Sequence, residues 1–194
     1  MTQAIVFDCF GVILTDAMQL VRNELAQKDP VAAQEASDVI AANNRGLLQP
    51  VDTNLRLAEL LGVTPDQLRH MVSGREVRDQ ALLDYILTLR ARYKTALLSN
   101  IAGSSLQRRF PDDELYTYFD VVVASGDIGY AKPEARAYEI VAEKLGVLPS
   151  ACVFIDDREA FCDAAETVGM RGLVYTNFAQ LQADLTVLLG GDRA

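Results

Sequence analysis

The sequence predicts an α/β fold whose parallel-sheet core is interrupted by one small helical insertion. Short apolar runs alternate with segments of helical period over most of the chain, and this alternation is typical of crossover connections between parallel strands. Between residues 14 and 73, by contrast, apolar residues recur at helical spacing without a convincing strand. We therefore expect a three-layer core formed by residues 1–14 and 75–194, with residues 15–74 inserted as a helical domain.

Five apolar runs are the predicted strands of the core. The first, residues 5–8, is a succession of Ile, Val and Phe that suits a strand buried on both faces, and it ends in Asp8. Gly11 follows closely and would let the backbone turn sharply behind this strand. The other predicted strands are residues 93–98, 119–124, 152–155 and 173–175.

Capping residues and breaks in the apolar pattern predict the helices. In the insertion, Asp29 precedes Pro30 as a helix start, and Asp52 is a candidate N-cap. The stretch from Thr64 to Gln67 has the form of a capping box. In the core, helices are predicted over residues 77–91, from 103, after Lys132-Pro133-Glu134 and through 138–145, through 160–168 and from 177. All but the last lie between two predicted strands, as crossover connections require.

Composition and charge exclude several classes of function. The 194 residues include 27 acidic and 18 basic side chains, for a formal charge of −9, whereas a surface that binds nucleic acid or an anionic membrane is rich in Lys and Arg. Apolar residues make up 50% of the chain, but no run approaches the roughly 18 residues of a membrane span. Cys9, Cys152 and Cys162 lack the spacing of a metal site or a disulfide framework. These features predict a protein of a reducing compartment such as the cytoplasm, with neither a nucleic-acid nor a membrane partner.

Polar side chains stand at the ends of several predicted strands. They are Asp8, Ser99, Asn100, Ser125, Asp156 and Asp157, and Lys132 follows shortly after the third strand. The carboxyl ends of parallel strands lie at one edge of a sheet, where open α/β folds bind their ligands. We therefore expect these side chains to meet there.

The predicted cluster of Asp8, Asp156 and Asp157 favours a magnesium site. Carboxylates that lie close together repel one another, and a divalent cation relieves that repulsion. An oxygen-rich site without histidine suits Mg²⁺ rather than zinc, and the single histidine, His70, falls in the helical insertion. Such a site would hold a phosphate group, with a hydrogen bond from Ser99 and with the Lys132 cation neutralising charge.

The same residues resemble the four sequence motifs of the haloacid dehalogenase (HAD) superfamily, in order and at fitting spacings. The matching stretches are Phe7-Asp8-Cys9-Phe10-Gly11-Val12, Leu97-Leu98-Ser99-Asn100, Lys132-Pro133-Glu134 with Tyr138, and Phe154-Ile155-Asp156-Asp157 followed by Ala164-Ala165 and Gly169-Met170. The helical insertion is similar to the small cap of the superfamily's first cap class, so the resemblance covers essentially the whole chain. It implies a Rossmann-like core and a hydrolase activity.

The resemblance also implies a role for each motif residue. Asp8 would be the nucleophile that forms a covalent aspartyl intermediate with a small phosphorylated metabolite. Ser99 and Lys132 would bind the transferring phosphate group, and Asn100 would help to shape that site. The metal ligands would be Asp8, the backbone carbonyl of Phe10, Asp156 and Asp157, the last directly or through water.

The chain departs from the superfamily at Phe10, where phosphatases usually have a second aspartate that acts as general acid and base. A phenylalanine cannot transfer a proton, and general acid–base catalysis is worth about 10²–10⁴-fold in rate. The leaving group could be one that needs little protonation, as in a glycosyl or acyl phosphate. Alternatively, Asp16 could substitute, although a linker or helix-capping role explains this aspartate more simply.

Two further functions stay open on the sequence alone. A 2-haloacid dehalogenase carries a tyrosine at the position of Phe10 and releases halide without a proton, and Arg22 or Arg45 in the insertion could receive that halide. Dehalogenases use no metal, however, and their fourth motif resembles Ser-x-Asn rather than the paired Asp156 and Asp157. A protein that has lost catalysis and only binds a phosphorylated ligand would also retain these residues. The motifs favour the phosphatase.

Overall fold

The core is one parallel sheet with β1 at its centre. A computed structural model describes residues 1–111 and 113–191. The strands are β1 (Ala4–Phe7), β2 (Lys94–Ser99), β3 (Val121–Ala124), β4 (Cys152–Asp156) and β5 (Arg171–Val174). All neighbours pair in parallel in the order β3-β2-β1-β4-β5. The predicted α/β class and Rossmann-like core are therefore confirmed.

Helices cover both faces of this sheet and form the whole of the insertion. They are α1 (Ala17–Lys28), α2 (Pro30–Asn44), α3 (Pro50–Leu61), α4 (Pro65–Ser73), α5 (Gln80–Arg90), α6 (Gly103–Gln107), α7 (Leu115–Tyr118), α8 (Ser125–Ile128), α9 (Ala135–Leu145), α10 (Glu159–Thr167) and α11 (Phe178–Gly191), with a 3₁₀ turn at Pro149–Ala151. Across the described ranges, none of them combines the length and the apolar character that crossing a membrane requires.

The central strand is buried on both faces, as its unbroken apolar sequence predicts. Ile5 and Phe7 belong to a cluster that includes residues of α5 and α11, whereas Ala4 and Val6 belong to a second cluster with residues of α9 and α10. All four side chains are fully buried. This two-sided packing fixes the position at which the chain leaves the sheet after β1.

Helices α1 to α4 have an apolar cluster of their own, which includes Val21, Leu57 and Leu68. Two of the predicted helix starts are correct, because the Asp29 side chain caps α2 and both hydrogen bonds of the capping box before α4 are present. The third is wrong. Helix α3 begins at Pro50, whose ring favours the first helical turn, and Asp52 lies within that turn instead of capping it.

Two neighbouring chain segments attach the insertion to the core. The Thr15 amide donates to the Val77 carbonyl at 3.0 Å, and the Asp79 amide donates to the Ile13 carbonyl at 2.9 Å. Because residues 77–79 take part in this pairing, α5 begins at Gln80 and not at residue 77 as the apolar pattern predicted. The insertion therefore starts and ends beside the carboxyl end of β1.

The packing of α5 predicts unequal effects for two of its neighbouring residues. Ile86 is 0% exposed and Leu87 is 40% exposed. Ile86→Ala should lower the free energy of unfolding by about 2–5 kcal/mol because it leaves a cavity, whereas Leu87→Ala should change it by about 0.5 kcal/mol or less. Urea denaturation of both variants measures the difference, and equal effects would contradict the packing of this helix on the sheet.

Candidate active site

The candidate active site lies at the carboxyl edge of the sheet, where the strand register brings two carboxylates together. Phe7 of β1 pairs with Ile155 of β4, so the residues that follow them, Asp8 and Asp156, emerge side by side. The Asp8 amide donates to the Ile155 carbonyl at 2.9 Å. The two residues are only 5% and 0% exposed, so neither charge is solvated as it would be at the surface.

The ammonium group of Lys132 joins these two carboxylates. Its Nζ atom lies 2.8 Å from Asp8 Oδ1 and 2.6 Å from Asp156 Oδ2, and the lysine is itself buried. Burial alone would lower the pKa of Lys132, but the two carboxylates raise it above its usual range. Lys132 is therefore a buried cation that bridges the ends of β1 and β4.

Burial acts strongly on Asp8. Removal from solvent raises the pKa of Asp8 to about 7; the Lys132 cation acts to lower it, and the Asp156 carboxylate adds to the increase. When both carboxylates are ionised, one lysine neutralises only half of their charge. A further cation would stabilise the ionised form of Asp8.

Asp157 completes a cluster of three carboxylates. One oxygen from each of Asp8, Asp156 and Asp157 lies within 4.8 Å of the others, as measured over the described residues. Partial desolvation raises the pKa of Asp157, and the carboxylates of Asp156 and Asp16 raise it further. Gly11, at φ +94°, permits this close approach, because a Cβ atom at that position would overlap the Asp157 carboxylate. Three oxygen donors without a histidine fit the ligand preference of Mg²⁺.

Ser99 and Asn100, at the end of β2, have different surroundings. Ser99 is 0% exposed, and its hydroxyl oxygen has no hydrogen-bond partner within residues 1–111 and 113–191. An unpaired buried hydroxyl is unfavourable, so this atom is suited to a ligand group. The Asn100 side chain is already occupied: its Nδ2 donates to the Lys132 carbonyl and its Oδ1 accepts from the Lys132 amide, both at 2.8 Å. No pattern in the sequence predicts this pair of hydrogen bonds to the Lys132 backbone.

Sequence reasoning also missed the ion pair that covers Phe10. The Arg109 guanidinium lies 5.2 Å from the centroid of the Phe10 ring, and its Nη2 is 2.6 Å from Glu76 Oε1. Glu76 lies between α4 and α5, whereas Arg109 follows α6, so no motif or spacing links either residue to Phe10. Two residues after Asp8, where phosphatases of the superfamily usually have a second aspartate, the chain has an aromatic ring covered by a paired cation.

A cleft of about 1240 Å³ opens above these groups. Asp8, Lys132 and Phe10 line it on the side of the sheet, and Arg22 and Leu55 are among the residues that line it from the insertion. The volume is ample for a small metabolite.

The other residues singled out in the sequence lie outside the carboxylate cluster. Asp16 Oδ1 accepts from the Gln19 amide at 2.9 Å and caps α1, in agreement with the helix-capping explanation. Arg45 Nε donates to Glu134 Oε1 at 2.9 Å, a contact between the insertion and the core. His70 is exposed on α4. None of these three residues touches the buried lysine.

Comparisons with known proteins match this chain to hydrolases, among them phosphatases. Residues 2–169 match the family model of haloacid dehalogenase-like hydrolases. The chain is 27% identical to the D-ribitol-5-phosphate phosphatase of Bacteroides thetaiotaomicron over 97% of this chain and 99% of that protein. A shorter match, 41% identical over 66 residues, covers 34% of this chain and 30% of phosphatase MT3486 of Mycobacterium tuberculosis.

A solved structure has the same fold. It is a HAD family enzyme from Bacteroides thetaiotaomicron in complex with magnesium and inorganic phosphate, and it matches with a TM-score of 0.73 and 22% identity over 93% of this chain and 99% of that chain. At this level of identity the similarity shows the fold alone. The family model, however, spans most of the sequence, including the buried lysine and all three clustered carboxylates, and it shows that the chain belongs to the haloacid dehalogenase-like hydrolase family.

Proposed function

We propose that this protein is a magnesium-dependent phosphatase that acts on a small phosphorylated metabolite such as a sugar phosphate. The observation that carries the proposal is the cluster of three carboxylates and a buried lysine, of which Asp8 and Lys132 line the cleft. A full-length relative is named a phosphatase, and a protein of the same fold was solved with magnesium and inorganic phosphate. The dehalogenase alternative does not account for the clustered carboxylates, because that chemistry needs no metal.

Asp8 is the proposed nucleophile. Lys132 holds one of its carboxylate oxygens at 2.8 Å, which orients the group at the end of the central strand. A bond from Asp8 to phosphorus forms as the bond from phosphorus to the leaving oxygen breaks, and the product is an aspartyl phosphate. Water then hydrolyses this intermediate and regenerates the carboxylate.

Lys132 and Ser99 are the proposed ligands of the phosphate group. An ammonium group has three donors, and Asp8 and Asp156 take two of them in Lys132, which leaves one for a phosphate oxygen. The unpaired Ser99 hydroxyl can donate to a second oxygen. Because both functional atoms of Asn100 bind the Lys132 backbone, we assign Asn100 the indirect role of fixing the lysine.

The proposed metal ligands are Asp8, Asp156, Asp157 and the Phe10 carbonyl. The three side chains fit Mg²⁺ by donor type and by their mutual separation of at most 4.8 Å. Magnesium bound there would neutralise the charge of the carboxylates and of the phosphate group.

The aromatic ring at position 10 narrows the proposed substrate. With Phe10 beneath the Arg109 guanidinium, no acid stands two residues beyond Asp8 to protonate a departing alkoxide. Asp16 does not replace it, because its carboxylate caps α1. We therefore expect substrates whose leaving groups need little protonation, such as phosphates on an anomeric carbon.

Replacement of the nucleophile gives the first test of the proposed activity. Asp8→Asn should lower the hydrolysis of 4-nitrophenyl phosphate in the presence of magnesium by several orders of magnitude, because an amide cannot form the aspartyl intermediate. Asp84→Asn, on the exposed side of α5, is the matched control and should retain turnover. A wild-type protein that hydrolyses no member of a broad phosphate panel with magnesium, or that releases halide from 2-haloacids without metal, would refute the proposal.

The pKa of Asp8 predicts how stability depends on pH in the absence of metal. The pKa of Asp8 in the folded protein, about 7, lies above its ordinary value of 3.8. Protonated Asp8 therefore contributes fully to the free energy of unfolding below about pH 4, and this contribution is lost as the pH rises through about 7. In EDTA, Asp8→Asn should therefore melt at a higher temperature than the wild type at pH 8, and this difference should shrink towards pH 5. Magnesium should raise the melting temperature of the wild type at pH 8 more than that of the variant. A difference in melting temperature between the two proteins that does not vary with pH would contradict the raised pKa of Asp8.

A change at Phe10 tests the missing proton donor. Phe10→Asp should raise kcat for simple alkyl phosphates by about 10-fold or more, because it restores a general acid, and should change kcat for 4-nitrophenyl phosphate little. Phe10→Ala removes the ring without adding a carboxyl group and serves as the control. Asp16→Asn keeps the helix cap and removes the acid, so a large loss with alkyl phosphates in that variant would show that Asp16 is the proton donor after all.

A further inference from the structure

The cleft has the opposite charge balance from the whole protein. The chain contains 18 basic and 27 acidic residues, but the described residues that line the cleft include eight Arg or Lys and only four Asp or Glu. Five of these cations are paired with carboxylates: Arg45, Arg69, Arg78, Arg109 and Lys132. Arg22, Arg108 and Arg158 have no carboxylate at ion-pair distance in the part of the chain that the structure describes.

Arg22, on α1, is a half-buried cation whose hydrogen bonds are incomplete. Its Nε atom is buried and has no hydrogen-bond partner among the described residues. Nη1 makes only a long contact of 3.4 Å to Ser37 Oγ, and Nη2 donates to the Gln19 side chain. A buried N–H group without an acceptor is unfavourable. The site would be completed by an anion from the cleft.

Arg158 belongs to the core side of the same cleft. It immediately follows the carboxylate cluster, and its guanidinium lies 4.7 Å from the centroid of the Phe161 ring. Arg22 and Arg158 both line this cleft, one from the insertion and one from the core. Burial lowers the pKa of Arg22, Asp16 raises it and the Arg158 cation lowers it further, in keeping with two cations in one part of the cleft. Asp157, which directly precedes Arg158, and Asp16 place two carboxylates beside the two guanidinium groups. Neither carboxylate lies at ion-pair distance from Arg22 or Arg158 in the described part of the chain, so both guanidinium groups keep donors for an anion from the cleft.

We propose that Arg22 and Arg158 form a second anion-binding site, which receives a phosphate or carboxylate group at the end of the substrate remote from Asp8. The inference rests on the proposed phosphatase function and narrows its substrates to metabolites that carry two anionic groups. Guanidinium groups bind both anions through paired, charge-assisted hydrogen bonds. One group from the insertion and one from the core would then hold the substrate between them.

Three substrates with the same sugar and the same scissile phosphate test this site. They are glucose 1-phosphate, which has one anionic group, and glucose 1,6-bisphosphate and glucuronic acid 1-phosphate, which add a phosphate and a carboxylate. The wild-type kcat/KM for at least one doubly anionic substrate should exceed that for glucose 1-phosphate by about 10- to 100-fold, mainly through KM. A preference for the bisphosphate alone identifies a phosphate site, and a preference for both identifies a general anion site.

Variants assign the preference to the two arginines. Arg22→Gln and Arg158→Gln should each reduce the ratio of kcat/KM between doubly and singly anionic substrates towards one. Arg158 is exposed, so its replacement tests the site without disturbing the packing of α1. Arg75→Gln is the matched control, because Arg75 pairs with Glu24 and does not line the cleft. Equal kcat/KM for all three substrates in the wild type, or a preference that survives both Gln variants, would overturn the proposal.

Calorimetry separates this inference from the proposed phosphatase function. The Asp8→Asn variant should bind at least one doubly anionic compound with a Kd about 10- to 100-fold lower than its Kd for glucose 1-phosphate. Adding Arg22→Gln to that variant should remove this difference in Kd. If the wild type hydrolyses none of these compounds and no member of the broad phosphate panel, but this difference in Kd is present, the anion site stands and the phosphatase proposal fails. If glucose 1-phosphate is hydrolysed and the three Kd values are equal, the phosphatase proposal stands and the second site does not exist.

Discussion

A single buried ammonium group between two buried carboxylates is the constraint on which the site depends. Lys132 reaches Asp8 and Asp156 at 2.8 and 2.6 Å, and all three groups are almost completely removed from solvent. Charges in such surroundings persist only when they are paired, and the pairing requires the parallel register of β1 and β4. It also requires a fixed backbone at Lys132, which Asn100 supplies through both of its amide atoms. The sheet, the lysine and the asparagine together leave one negative charge in excess, which makes the edge of the sheet receptive to a cation.

Much of this could be predicted from the sequence because the signals are local. An apolar run that ends in a polar residue predicts both a strand and the side chain at its carboxyl end, and parallel pairing then places Asp8 and Asp156 at the same edge of the sheet. That β1 and β4 are neighbours is known only from the strand order in the structure. The contacts that could not be predicted join residues far apart in the chain. The ion pair of Arg109 and Glu76 covers Phe10 only because the segment before α5 and the segment after α6 meet in the folded chain, and no periodicity encodes that contact. The predicted start of α5 at residue 77 was wrong because residues 77–79 form hydrogen bonds with residues 13–15 instead.

Net charge and local charge lead to different conclusions about ligands. A formal charge of −9 argues against polyanionic partners, and nothing in the fold changes that conclusion. The cleft, however, gathers basic side chains from both the insertion and the core, and pairs only some of them with carboxylates. A small anion therefore meets a positive surface only after it has entered the cleft. The lining of the cleft is thus more basic than the chain as a whole.

The two attachment segments of the insertion have a consequence for how such a protein can diverge. Residues 13–15 and 77–79 are hydrogen-bonded to each other, so the chain leaves the core and returns to it at almost the same place. The insertion contacts the core elsewhere as well, as at the Arg45–Glu134 ion pair, but all five strands lie outside the segment between these attachment points. The carboxylate cluster at the strand ends and the helices of the insertion thus belong to separate parts of the chain. Duplicated genes could keep the first part intact while the second is replaced as a single module.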